Sequence, residues 1–121
     1  MALTRTKEMD LRSAEYQVVQ ALNGGTALVA GEVLEHEETA GFTLVDVPAN
    51  EQFSLITKAD QVRAKKASVA ITAGDALYWL NASSVVTNVV TLDRIGTAIE
   101  PALVGDADVL MDLDMIGKNI I

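Results

Sequence analysis

The chain has no cysteine and a single histidine, His36. A disulfide framework and a thiolate-held metal are excluded outright, and the usual imidazole general base is reduced to one candidate. Aromatic residues are almost as scarce: Tyr16, Phe42, Phe53, Tyr78 and Trp79 are the whole set in 121 residues. The core must therefore be built from Ala, Val, Leu and Ile, and a chain of this length supplies one domain. Basic residues are few, 9 Lys and Arg against 17 Asp and Glu, giving a formal charge of -8. That balance argues against nucleic acid as a partner, because phosphate contacts draw on Lys and Arg. No apolar run approaches the roughly 18 residues a membrane span needs. Residues 1–12 alternate charged and polar types where a secretory leader would place an apolar stretch, so synthesis in a cytoplasm is the expectation.

What the sequence has in quantity is short apolar runs rich in Val and Thr, punctuated by turn chemistry. Strands are expected at 16–22, 26–35, 42–47, 52–57, 67–72, 76–80, 85–92, 96–102 and 107–114, because β-branched residues suit a pleated surface. Asn23-Gly24-Gly25, Glu38-Thr39-Ala40-Gly41, Pro48-Ala49-Asn50, Ala73-Gly74-Asp75, Asn81-Ala82-Ser83-Ser84 and Val104-Gly105-Asp106 separate them. This rhythm predicts an all-β fold, a small barrel or sandwich-like domain. From Ala107 to Asp114 one face carries Ala107, Val109, Met111 and Leu113, the other Asp108, Leu110, Asp112 and Asp114, the pattern of a half-buried strand.

Two further patterns bear on organisation. Val29-Ala30-Gly31-Glu32-Val33-Leu34 and Ile71-Thr72-Ala73-Gly74-Asp75-Ala76-Leu77 echo one another, each setting Gly at a reversal and an acid where it can accept from nearby backbone N–H groups. A barrel with related halves would give such an echo. The first 13 residues stand apart, with Arg5, Lys7 and Arg12 against Glu8 and Asp10 and few core-type side chains. They read as an extended N-terminal arm (1–13) on a single β-rich domain (14–121).

Candidate chemistry is thin. Glu35-His36-Glu37-Glu38 gathers three carboxylates and the only imidazole, but consecutive strand residues face opposite sides and no second His or Cys is present, so no metal site is expected there. Asp106, Asp108, Asp112 and Asp114 lack the spacing of a calcium loop. No serine lies in a nucleophile elbow and no phosphate loop or dinucleotide fingerprint occurs, so the chain is read as no enzyme, without cofactor. Asn81-Ala82-Ser83 fits a glycosylation pattern and reads as a polar turn. Arg63, Lys65 and Lys66 read as a solvated basic face. Tyr78-Trp79 is the one aromatic concentration; in a strand one ring fills the core and the other meets the outside or an interface.

Ala30-Gly31-Glu32-Val33, Phe53-Ser54-Leu55-Ile56-Thr57-Lys58, Ala73-Gly74-Asp75-Ala76-Leu77-Tyr78-Trp79, Ile95-Gly96-Thr97-Ala98 and the closing 105–113 stretch follow one another in that order. In that order and spacing the span from Thr26 to Asp114 resembles the tailed-phage capsid cement (decoration) proteins. The resemblance implies a β-barrel-like domain on the outer surface of a phage head, bound to the major capsid protein at capsomer junctions and to itself as a homotrimer. It implies synthesis in the host cytoplasm followed by residence in the virion, and it carries no catalytic residue. Arg5, Lys7 and Arg12 of the arm, with Trp79, are the expected contacts with capsid or neighbour. An alternative reading is a virion-displayed module that binds carbohydrate or a host surface, which would need Trp79 or Tyr78 exposed in a concave site. A small hydrolase using Glu35, Glu37 or the Asp-rich strand stands behind both.

Overall fold

The computed structural model describes residues 8–13, 15–36 and 39–120. These form nine strands and no helix: β1 (Met9–Leu11), β2 (Tyr16–Leu22), β3 (Val33–His36), β4 (Thr39–Thr43), β5 (Gln52–Lys65), β6 (Ala76–Leu80), β7 (Val85–Thr87), β8 (Arg94–Ala98) and β9 (Asp108–Asp114). The fold is all-β, a single sheet curled into a half-barrel.

β5 is its spine. β2 and β1 lie end to end along one edge of it, β2 opposite Gln52–Ala59 and β1 opposite Val62–Ala64. β4 and β9 share the other edge, β4 opposite Leu55 and Ile56 and β9 opposite 58–65. Beyond β9 the sheet runs β8, β6, β7. It curls back to the end of β5, where Lys66 bridges Val86. The strand expected at 52–57 thus continues to Lys65. Its second half, Lys58-Ala59-Asp60-Gln61-Val62-Arg63-Ala64-Lys65, buries only Ala59, Val62 and Ala64. The register slips between Ala59 and Val62, which breaks the two-residue period that marks a strand in sequence.

The echo seen in the sequence is a structural duplication. β3 and β4 pair as Val33 with Phe42 and Leu34 with Gly41, and β6 and β8 pair as Ala76 with Thr97 and Leu77 with Gly96. Each hairpin is entered through the same turn. The Glu32 carboxylate accepts from Val29 N–H at 3.0 Å while Glu32 N–H donates to Val29 C=O at 3.0 Å. Asp75 makes the corresponding bonds with Thr72 at 2.9 and 3.0 Å. Gly31 N–H donates to Thr43 C=O at 2.6 Å, and Gly74 N–H to Ala98 C=O at 2.8 Å. Both glycines have φ in the left-handed region, 85° and 94°, where a Cβ is strained. Leu103–Asp106 repeats the turn at the exit of the second hairpin, with bonds of 2.8 and 3.1 Å between the same groups. Entry and exit turns are tied by the bridges Leu28–Val47 and Ile71–Ala102.

The remaining differences from the sequence expectation have local causes. The strand expected at 26–35 is a bridge and the first turn followed by β3, and the one at 67–72 reduces to an isolated bridge at Ile71. Thr39-Ala40-Gly41, read as a turn, lies inside β4. Gly41 is there because strands approach closely: a Cβ would meet the Ile56 carbonyl oxygen and lie 2.8 Å from Leu55 Cγ. β9 buries Val109, Met111 and Leu113 and turns Asp112 outward, as its alternation predicted.

Two cores result. The larger spans both hairpins and includes Met9, Phe42, Leu77, Trp79, Ile95 and Met111. The smaller, Ala21, Val47, Phe53 and Leu55 with Leu28 and Leu34 against them, lies under the first hairpin.

Candidate interaction surface

β2 pairs with β5 and with no other strand among the described residues, so its outer edge is open. It is also apolar and uncharged: Tyr-Gln-Val-Val-Gln-Ala-Leu, with Tyr16 47 % and Leu22 58 % exposed. On one face of the pair Val18, Gln20 and Leu22 stand opposite Ile56, Ser54 and Gln52. Beside them the chain between β4 and β5 rises as a wall, and Tyr16, Val18, Leu44, Val45, Val47 and Pro48 line the resulting groove of about 460 Å³. The carboxylates among its lining residues are Asp46 and Glu51. A second hollow of about 240 Å³ shares Tyr16 and carries Glu15, Asp60 and Lys58.

Three polar side chains hold the wall in place, among them Asp46, whose Oδ1 accepts from Ala30 N–H at 2.9 Å. Thr43 Oγ1 donates to Val45 C=O at 2.8 Å and accepts from Val45 N–H at 3.2 Å, folding the start of the connection. Asn23, buried at the end of β2, directs its Nδ2 at the carbonyls of Thr26, Val47 and Pro48 at 3.0–3.2 Å, and its Oδ1 accepts from Gly25 N–H at 3.2 Å. Its backbone completes the staple, accepting from Asn50 N–H and donating to Glu51 C=O at 2.9 Å. The sequence marked Asn23 as a turn residue; its reach across the chain to residues 47–51 is a tertiary fact that spacing does not encode.

The residues expected to make contacts are dispersed. Arg5 and Lys7 lie outside the described residues. Arg12 is exposed just past β1, where it forms an ion pair with Asp10 at 3.1 Å and its N–H donates to Gln61 C=O at 2.9 Å. Trp79 is 2 % exposed in the larger core, its Nε1–H donating to Asn81 Oδ1 at 3.2 Å. Tyr78, on the opposite face of β6, is half-buried, and Tyr16 is the more exposed aromatic, so among the described residues Trp79 offers no exposed ring of the kind the carbohydrate reading would use. The basic trio is not a solvated face either. Arg63 pairs with Asp108 at 3.0 Å and Glu100 at 3.5 Å. Lys66 is 7 % exposed, its ammonium held by the carbonyls of Leu103, Val104 and Asp106 at 2.8–3.3 Å.

The acids are used structurally. Asp106, Asp75 and Glu32 close turns, Asp108 pairs with Arg63, and Asp114 accepts from Ile116 N–H at 3.2 Å. Asp75 is held below the usual carboxylate range by the N–H of Thr72 and the amide of Asn88. Among the described residues no three His, Cys, Asp or Glu side chains group as a metal site, and Glu37 and Glu38 lie outside those residues. No helix among them is long and apolar enough to cross a membrane.

An open apolar strand edge beside a walled groove is surface of the kind that protein–protein contacts bury. Residues 13–113 match the model of the phage cement protein family. The chain belongs to that family, whose proteins are structural components of phage capsids. No curated protein and no solved structure matches it.

Proposed function

We propose that this protein is a capsid cement that binds the outer surface of a phage head at capsomer junctions, through contacts with the major capsid protein and with further copies of itself as a homotrimer. The observation that carries this reading is the family match over most of the chain, including every strand from β2 to β8. The exposed groove and edge of β2 supply surface of the kind such contacts bury. Cement acts by adding weak contacts across joints: each bound copy stabilises the assembled shell over its separated parts, and repetition over a lattice multiplies the effect. A net charge of -8 suits a protein needed at high copy number, because self-repulsion keeps the free chains apart until a specific surface is met.

The test is addition of purified protein to heads that lack it. The expected results are co-sedimentation that saturates at a fixed ratio and a higher temperature of head rupture. Saturating binding with no change in rupture temperature would make it a decoration without a cement role, and absence of binding would overturn the reading.

A further inference from the structure

An open strand edge is a hazard that folded proteins blunt with charge, proline or cover. Among the described residues β2 has none of these: seven residues without charge or proline, paired on one side only. Around it carboxylates outnumber cations: Glu15 and Asp60 share one hollow with Lys58, and Asp46 and Glu51 line the groove that reaches across β5. A segment that completed the sheet there would be extended, β-compatible and basic. The chain contains such a segment: Leu3-Thr4-Arg5-Thr6-Lys7 has two β-branched residues, two cations and no anion in an otherwise acidic sequence. Residues 1–7 extended would cover about 24 Å, the length of a seven-residue strand.

The topology directs this segment away from its own β2. β1 pairs with Val62–Ala64, so the chain before Met9 leaves at the far end of β5 from β2. The outer edge of β1 is already met, since Met9 N–H donates to Gly31 C=O at 3.1 Å. Reaching its own β2 would require the segment to double back across that contact. The β2 edge of another copy presents no such obstacle.

We propose that residues 1–7 of one copy add as a strand to the open edge of β2 in a second copy, with Arg5 and Lys7 placed toward the Glu15 and Asp60 carboxylates at the start of that strand. The contact is heterologous, one copy's arm on the next copy's edge, so it closes into a ring when the rotation between copies permits. It rests on the self-association in the reading above and is independent of capsid binding.

Because the chain has no cysteine, the contact can be trapped cleanly. Thr4→Cys or Thr6→Cys in one preparation is mixed with Gln17→Cys, Val19→Cys or Gln20→Cys in another, isotopically labelled one, and oxidised both free and bound to heads. Disulfides joining a labelled to an unlabelled chain are expected for at least one arm–β2 combination. Deletion of residues 2–7, and separately Val19→Lys, should lower self-association at least ten-fold with melting temperature and circular dichroism retained. Inter-chain disulfides absent throughout, disulfides only within one chain, or Gln20→Cys chains linking preferentially to each other would each overturn the proposal; so would unchanged self-association on deleting the arm. Loss of head binding with the arm–β2 disulfide intact fails the cement reading alone, and head binding with no such disulfide fails this proposal alone.

Discussion

Gly41 and Gly96 occupy the same position in the two hairpins, each paired with a leucine, Leu34 and Leu77, and each lying against the strand that follows its hairpin. A Cβ on Gly41 would strike the Ile56 carbonyl oxygen, and one on Gly96 the Asp112 carbonyl oxygen, with Met111 Cε at 2.5 Å. The obstacle is backbone, which cannot rotate away as a side-chain tip can. Gly41→Ala and Gly96→Ala should therefore each destabilise the fold by about 3 kcal/mol, the upper range for overpacking. Urea unfolding of the two variants checks this, and the two losses should be similar because the two sites are equivalent. Gly24→Ala is the control: nothing lies within 4 Å of its Cβ position, and little change is expected.

Among the described residues Lys66 has no carboxylate partner, and its ammonium sits in a cage of three carbonyls. The arrangement stitches the end of β5 to the Leu103–Asp106 turn and so closes the second half of the sheet. Lys66→Met keeps most of the buried stem but leaves the carbonyls without their donor. A loss of about 2 kcal/mol is expected, from the cost of leaving buried polar groups unsatisfied. Lys65→Met, one residue away and half-buried, should cost much less.

How much of this was legible in the sequence depends on whether the determinant is local. β2 and β6 read correctly to the residue because Val, Leu, Tyr and Trp lie between clear turns, and β9 because its alternation is unbroken. The turns at Gly31 and Gly74 were visible because glycine, then an acid, is itself the mechanism of the turn. The second half of β5 was hidden by Ala, charge and a bulge. Arg63 and Lys66 looked solvated because Glu100, Asp108 and the 103–106 carbonyls are more than thirty residues away along the chain. The groove was invisible for the same reason: Tyr16 and Val18 meet Leu44–Pro48 only through β5 and the Asn23 staple.

That staple makes a separate prediction. Asn23→Ala removes a side chain that serves four backbone groups, and the fold should lose about 2 kcal/mol. The damage should be local. Hydrogen exchange should rise most at Leu28 and Val47, whose mutual bonds of 2.8 and 3.0 Å hold the groove wall to the first turn, while β8 and β9 remain protected. Uniform loss of protection would show that the wall is not an independent unit.

Glu8 stands immediately before β1, and its pKa carries a pH prediction. Its Oε1 accepts from Val33 N–H at 2.7 Å and its backbone carbonyl from Lys65 N–H at 2.9 Å. Burial raises the carboxyl above its ordinary value of 4.5, and Glu32 adds to the rise; the Val33 N–H, the Ser84 hydroxyl and the Lys65 ammonium oppose it without cancelling it. A carboxyl whose pKa is raised on folding binds its proton more tightly in the folded state. Its contribution is fully present below the unfolded pKa and is lost as pH rises through the higher folded value. At neutral pH the ionised Glu8 is therefore a net cost to the folded chain. Glu8→Gln keeps an acceptor for Val33 without the charge, so the variant should melt higher than the parent at pH 7. The difference should shrink as pH falls through the raised pKa and level off below 4.5. Other carboxylates titrate in the same window, so the diagnostic quantity is the difference between the two proteins at each pH. A variant that melts lower than the parent at pH 7 would show that the hydrogen bonds to the ionised carboxylate outweigh its desolvation.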